Sequence, residues 1–96
     1  MAKGYWVTVY HSVSNPTAFA EYGKLATTAI QARGGRFLVR GMPSKVYEEG
    51  AKERVVIIEF ASVADAVSTM ESPEYQAAKK VLGNSVKRDI RIVEGA

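Results

Sequence analysis

The sequence predicts an α+β sandwich, one four-stranded antiparallel sheet with its helices on a single face, and three observations carry that prediction. Segments rich in β-branched and aromatic residues bracket two helical patterns in the order strand, helix, strand, strand, helix, strand. The two strand–helix–strand halves sit at an offset of about 50 residues, the usual way to build such a sheet from two βαβ units. The chain is 96 residues long, which predicts a single domain over residues 1–96, since a second domain would need about 50 residues of its own.

The first strand is Tyr5–His11, where Tyr5-Trp6-Val7-Thr8-Val9-Tyr10 mixes aromatic and β-branched side chains. Asn15 is a good N-cap and Pro16 suits the first helical position. Phe19, Tyr22, Ala26, Ala29, Ile30 and Arg33 then recur at helical spacing. Gly34-Gly35 ends that helix, because glycine takes the left-handed conformation that closes one. Arg36–Gly41 follows as the second strand, with Phe37 and Val39 expected on one side and Arg36, Leu38 and Arg40 on the other. Lys45-Val46-Tyr47, between the turn signals Met42-Pro43 and Glu49-Gly50, predicts a small hairpin extension of that strand.

Arg54–Phe60 is the strongest strand, apolar on both faces at Val55, Val56, Ile57 and Ile58. Ser62 with Asp65 makes a capping pair for a short helix whose apolar stripe is Val63, Ala66, Val67 and Met70. Ser72-Pro73-Glu74 starts another, with Tyr75, Ala78 and Leu82 on its inner face and Gly83-Asn84 as its stop. Val86–Val93 is the fourth strand, with Ile90 and Ile92 sharing a face. The order is that of a ferredoxin-like βαββαβ sandwich. Its sheet leaves one face open, yet the third strand is apolar there too, and 96 residues encode no third layer. A second copy of the chain is the expected cover, giving a homodimer with sheets face to face.

Composition excludes several chemistries. There is no cysteine and only one histidine, so disulfides, thiolate metal sites, cysteine nucleophiles and multi-histidine centres within one chain are ruled out. No Walker or dinucleotide phosphate loop and no Gly-x-Ser-x-Gly elbow is present, and no cofactor is expected. The longest apolar run is Val55–Ile58 and the N-terminus reads straight into strand sequence, so a cytoplasmic protein without a membrane partner is expected. RNA-recognition domains share the element order, and a net charge of +3 invites that comparison. Their base-stacking aromatics lie on the third strand, which here is Val-Val-Ile-Ile, so nucleic acid is not an expected partner.

Several blocks together resemble the domain-of-unknown-function 1330 family. They are Lys3-Gly4-Tyr5-Trp6, Gly34-Gly35-Arg36-Phe37-Leu38-Val39-Arg40-Gly41, Val56-Ile57-Ile58-Glu59-Phe60, Ser72-Pro73-Glu74-Tyr75-Gln76 and the closing Asp89–Gly95 segment. The resemblance spans nearly the whole chain and implies the dimeric α/β barrel architecture, in which two ferredoxin-like subunits pair their sheets. That group includes cofactor-free monooxygenases, isomerases and haem-degrading enzymes, and the resemblance does not select among them. Tyr10-His11-Ser12-Val13 lacks the acidic residue that many members carry before the first helix, so no role for that carboxylate transfers.

Six residues are candidates for a site. Glu59 stands in an otherwise apolar strand, where a carboxylate needs a partner or a shifted pKa; it reads as a general base or as a strand-end glutamate paired to arginine. Arg36 and Arg40 are placed on one strand face, where either can hold a ligand carboxylate or pair with Glu59. Tyr22 and Tyr75 are inward-facing helix residues whose hydroxyls need partners. His11 is the lone imidazole, a ligand-binding residue or a strand-end surface group. Convergence of Tyr22, Glu59 and Arg36 between the first helix and the sheet would make a polar cluster in an apolar cavity. The function expected on that basis is binding, with conversion as an extension, of a small acidic or aromatic organic molecule. In that scheme Arg36 holds the anion, Tyr22 orients it and Glu59 moves a proton. The alternative is a non-catalytic dimeric module that senses a ligand or serves only as structure.

Overall fold

The structure, a computed structural model, describes residues 2–96. Its elements are β1 (Gly4–Val13), α1 (Pro16–Ala32), β2 (Arg36–Gly41), β3 (Val55–Phe60), α2 (Val63–Met70), α3 (Pro73–Leu82) and β4 (Val86–Glu94). The strands form one sheet in the order β2-β3-β1-β4 with every neighbour antiparallel, the ferredoxin-like arrangement expected from the sequence. β1 runs two residues beyond its predicted end because Ser12 and Val13 continue the ladder to Lys87 and Val86. Among the described residues no helix is long and apolar enough to cross a membrane.

The helix boundaries follow from local chemistry. Asn15, Ser62 and Ser72 each cap a helix by accepting a hydrogen bond from a backbone N–H three residues on, worth about 1 kcal/mol apiece. α1 ends in the six-to-one pattern of a Schellman turn: the Gly35 N–H donates to the Ile30 carbonyl and the Gly34 N–H to Gln31. Gly34 has φ 86°, which the turn requires. Gly35 is demanded by space, since a β-carbon there would collide with the Ile30 side chain and the Phe60 ring.

All the helices lie on one face of the sheet. Trp6, Thr8 and Tyr10 of β1 and Val56, Ile58 and Phe60 of β3 point toward them and are buried. Trp6 packs edge-on against Tyr75 of α3 with ring centroids 4.9 Å apart, tying the second half of the chain to the first strand. On α1 and α3 the inner positions Ala26, Ala29 and Ala78 are small, which lets these two helices pack side by side. The opposite face carries Tyr5, Val7, Val9, Val55, Ile57 and Glu59, all half-buried although no helix covers them.

Three expectations are corrected. A β-bulge sets Phe37 and Val39 against the consecutive residues Ile58 and Ile57, so Leu38 is extra and the strand switches faces there. Phe37 and Arg40 therefore lie on the helix side and Arg36 and Val39 on the open side; Arg36 and Arg40 do not share a face. Lys45-Val46-Tyr47 forms no strand: residues 42–54 are irregular, with a turn closed by the Gly50 N–H on the Tyr47 carbonyl. On α2, Val67 is exposed and Thr69 is buried in its place, since Thr69 returns its hydroxyl to the Asp65 carbonyl and so enters the core with its polar atom satisfied.

Candidate functional site

Between α1 and the sheet lies a cavity of about 710 Å³. It exists because α1 packs chiefly on α3 and stands off from the strands beneath it. The aromatic rings of Trp6, Tyr10, Phe19, Tyr22 and Phe37 form much of its wall, with Val56 and Ile58 as its strand floor. Three cationic residues complete it: Lys24 from α1, Arg40 from β2 and Arg54 from the approach to β3. No carboxylate and no imidazole is among its lining residues. Arg40 stacks over Phe37 at 4.4 Å and donates to the Thr27 hydroxyl at 3.0 Å, which fixes one cation on the rim.

One end of the cavity is closed by a network that the sequence reading missed. Arg88 of β4 follows the same alternation as Ile90 and Ile92, so its guanidinium points in under the helices, opposite Tyr10. Its Nη1 donates to the hydroxyls of Tyr10 (3.2 Å) and Tyr22 (3.0 Å), and its Nη2 to that of Tyr75 (3.1 Å). Tyr22 and Tyr75 also touch hydroxyl to hydroxyl at 2.7 Å. The cluster joins β1, β4, α1 and α3 at one point. The signal for it was present in the sequence as an arginine two residues before an apolar alternation, a parity that a reading of charged strand ends as solvated passes over.

Burial raises the pKa of Tyr22 well above the ordinary phenol range, and neighbouring Tyr75 adds to that, while Arg88 pulls the other way. Burial likewise raises Tyr10. Burial disfavours the charge on Arg88, and the oxygens of Tyr22 and Tyr75 more than offset this, so its pKa ends higher than usual. At neutral pH the network thus holds a charged guanidinium beside the protonated phenols of Tyr10 and Tyr22.

The predicted site residues divide between the two faces of the sheet. Tyr22 and Arg40 line the cavity, and Tyr75 supports Tyr22 from behind. Glu59 and Arg36 sit opposite each other on the uncovered face, so the expected convergence of Tyr22, Glu59 and Arg36 does not occur. The physical reason is strand alternation: Glu59 lies between the inward-facing Ile58 and Phe60 and must point away from the helices. There it accepts from Lys3 Nζ at 3.3 Å and from the Tyr5 hydroxyl at 3.1 Å. Desolvation raises its pKa, but the hydrogen bonds from Lys3 and Tyr5 and the charges of Lys3 and Arg36 outweigh that and hold it below the usual carboxylate value. His11 also lies away from the cavity, as the extra residue of a bulge in β1, with Nε2 3.0 Å from Asp89 Oδ2.

The sequence matches the family described as Domain of unknown function (DUF1330) over residues 3–96. The chain belongs to that family. No curated protein matches this DUF1330 chain. Among solved structures it is similar to a protein of unknown function from Rhodopseudomonas palustris, with a TM-score of 0.75 at 18% identity, covering 99% of this chain and 83% of that one. It is similar also to a dimeric ferredoxin-like protein of unknown function from Jannaschia sp. CCS1, with a TM-score of 0.66 at 12% identity, covering 96% and 98%. A third is SnoaB, a cofactor-independent oxygenase from Streptomyces nogalater, with a TM-score of 0.64 at 11% identity, covering 100% and 95%. At these identities the likeness is one of fold, and it makes this DUF1330 member ferredoxin-like.

Proposed function

We propose that this protein binds a small aromatic organic anion in the cavity between α1 and the sheet, and that it does so as a homodimer. The observation that carries the reading is the composition of the cavity wall: aromatic rings for a flat apolar body, and Lys24, Arg40 and Arg54 for a negative charge, with no carboxylate to oppose it. The volume of about 710 Å³ falls within the range of small-molecule sites. The dimer is supported by the uncovered face, where Val7, Val9, Val39, Ile57 and Val93 form an apolar surface that a second sheet would bury. The similar protein from Jannaschia is described as dimeric.

A second reading, a ligand sensor without catalysis, is favoured by one feature. No carboxylate and no imidazole stands among the lining residues to serve as a base, and burial holds the Tyr10 and Tyr22 phenols protonated at neutral pH. Glu59, the sequence-level candidate for that task, is on the other side of the sheet. Conversion of a bound molecule would draw on the molecule's own reactivity, the protein supplying position and positive charge.

Trp6 is the only tryptophan, and its indole N–H donates to Thr8 Oγ1 at 2.9 Å on the cavity floor. Its indole resonance in a 1H–15N spectrum is therefore a single built-in reporter. Titration with 2-naphthoate is expected to shift that resonance saturably, and Arg40→Gln with Arg54→Gln to weaken the response. A resonance that stays in place while backbone signals of the open face move would contradict the reading.

A further inference from the structure

Hydrogen bonds in the Arg88 network do not balance, and the imbalance has a direction. Each of Tyr10, Tyr22 and Tyr75 uses its oxygen to accept from Arg88, and each brings one hydroxyl hydrogen. The Tyr22–Tyr75 contact consumes one of those hydrogens. Two remain, and among the described residues no acceptor is within hydrogen-bond distance of them. Tyr75 is fully buried and does not line the cavity, so an idle hydrogen on it would carry the whole desolvation cost. Tyr75 therefore donates to Tyr22, and Tyr22 keeps its hydrogen for the cavity that its ring lines. Tyr10, also on the cavity wall, is in the same position. Thr8 adds a third such donor: its Oγ1 accepts from Trp6, and its own hydrogen has no partner among the described residues.

We propose that the Tyr10–Tyr22 end of the cavity, with Arg88 behind it and Thr8 beside it, is a subsite that reads a hydrogen-bond acceptor on the ligand. A carbonyl, carboxylate or enolate oxygen docks between the Tyr10 and Tyr22 hydroxyls, which share one Arg88 Nη1 donor and so lie within reach of a single ligand group. This rests on the reading of the cavity as a ligand site and narrows it. The ligand presents an oxygen acceptor at its buried end, and a ligand whose buried end offers only hydrogen-bond donors is rejected. Arg88 is a positioning residue, polarising the phenols without touching the ligand, while Tyr10 and Tyr22 make the contact. The raised pKa values of both phenols keep these donors protonated at neutral pH.

Charge attraction by Lys24, Arg40 and Arg54 would also favour an anion, so the test uses a neutral pair of equal shape. 2-Acetylnaphthalene carries a carbonyl oxygen where 2-isopropenylnaphthalene carries a methylene. Their affinities for the full chain are read from the Trp6 indole resonance. The acetyl compound is expected to bind about tenfold more tightly, the value of one net hydrogen bond. That advantage should vanish in Tyr22→Phe and shrink in Tyr10→Phe, with the isopropenyl affinity unchanged. Each variant deletes one oxygen and keeps its ring, and the wild-type ligand pair alone decides the matter where a variant fails to fold. Equal binding of the two ligands to the wild type would overturn the subsite and leave the cavity as a ligand site. Failure of both ligands and of 2-naphthoate to bind would overturn the subsite together with the cavity reading.

Discussion

The two faces of the sheet hold similar residue types and treat them in opposite ways. Under the helices, Arg88 is enclosed by tyrosine hydroxyls, with no ion pair to a carboxylate among the described residues, at the end of an aromatic cavity. On the uncovered face, Glu59 is met by Lys3, Tyr5 and Arg36, and the cluster borders apolar strand residues. Enclosure makes the first arrangement costly to break, and the proposed ligand's oxygen would dock against it. Solvent access makes the second cheap to break, and its function depends on what covers it.

Adjacent residues of β3 give the largest contrast. Ile58 is buried at 2% exposure, and Ile58→Ala should cost about 2–5 kcal/mol in a urea titration. Its neighbour Ile57 faces the other way, and Ile57→Asp should leave secondary structure intact while converting a dimer to monomers in sedimentation. If both variants unfolded, the open face would belong to the monomer's own core. Next in size is Arg88→Met, which leaves the Tyr10 and Tyr75 hydroxyls short of a donor and should destabilise by about 2–3 kcal/mol. Arg36→Met on the open face should change monomer stability by under about 0.5 kcal/mol.

Titration sharpens the same contrast. Tyr22 and Tyr10 have folded pKa values above the unfolded phenol value, so their contribution to stability is complete below about pH 10 and is lost as pH rises through the folded values. Ultraviolet titration of tyrosinate should show the folded protein lagging behind the urea-unfolded chain above that pH. Glu59 runs in the other direction: its folded pKa is depressed, so its contribution holds above the unfolded value and fades as pH falls through the folded one. Glu59→Gln should give the smallest effect of the series, a Tm near that of the wild type at pH 7 with a weaker decline on acidification, followed by calorimetry.

The fold was legible because its signals are local and consistent. Asn15-Pro16 and Ser72-Pro73 start helices, Gly34-Gly35 stops one, and Val55–Ile58 marks an inner strand apolar on both faces. The candidate site was legible only in part. Tyr22 and Tyr75 were found through helical spacing, which survives folding unchanged. Arg36 and Arg40 were misplaced relative to each other because a bulge at Leu38 adds one residue, and one residue reverses a strand. No residue type in Arg36–Gly41 marks that insertion. Glu59 obeyed the alternation of its own strand, and that places it beside Arg36 and away from Tyr22. Arg88 was passed over because a charged residue at a strand start is ordinarily solvated, and only the tyrosines of three other elements make its burial tolerable.

The division of labour between the faces is tested most directly by native mass spectrometry of the protein with 2-naphthoate added. The expected result is a dimer that takes up one ligand per subunit, with Tyr22→Phe reducing uptake and Ile57→Asp giving monomers. A wild-type protein that flies as a monomer, or a dimer that takes up no ligand, would contradict it.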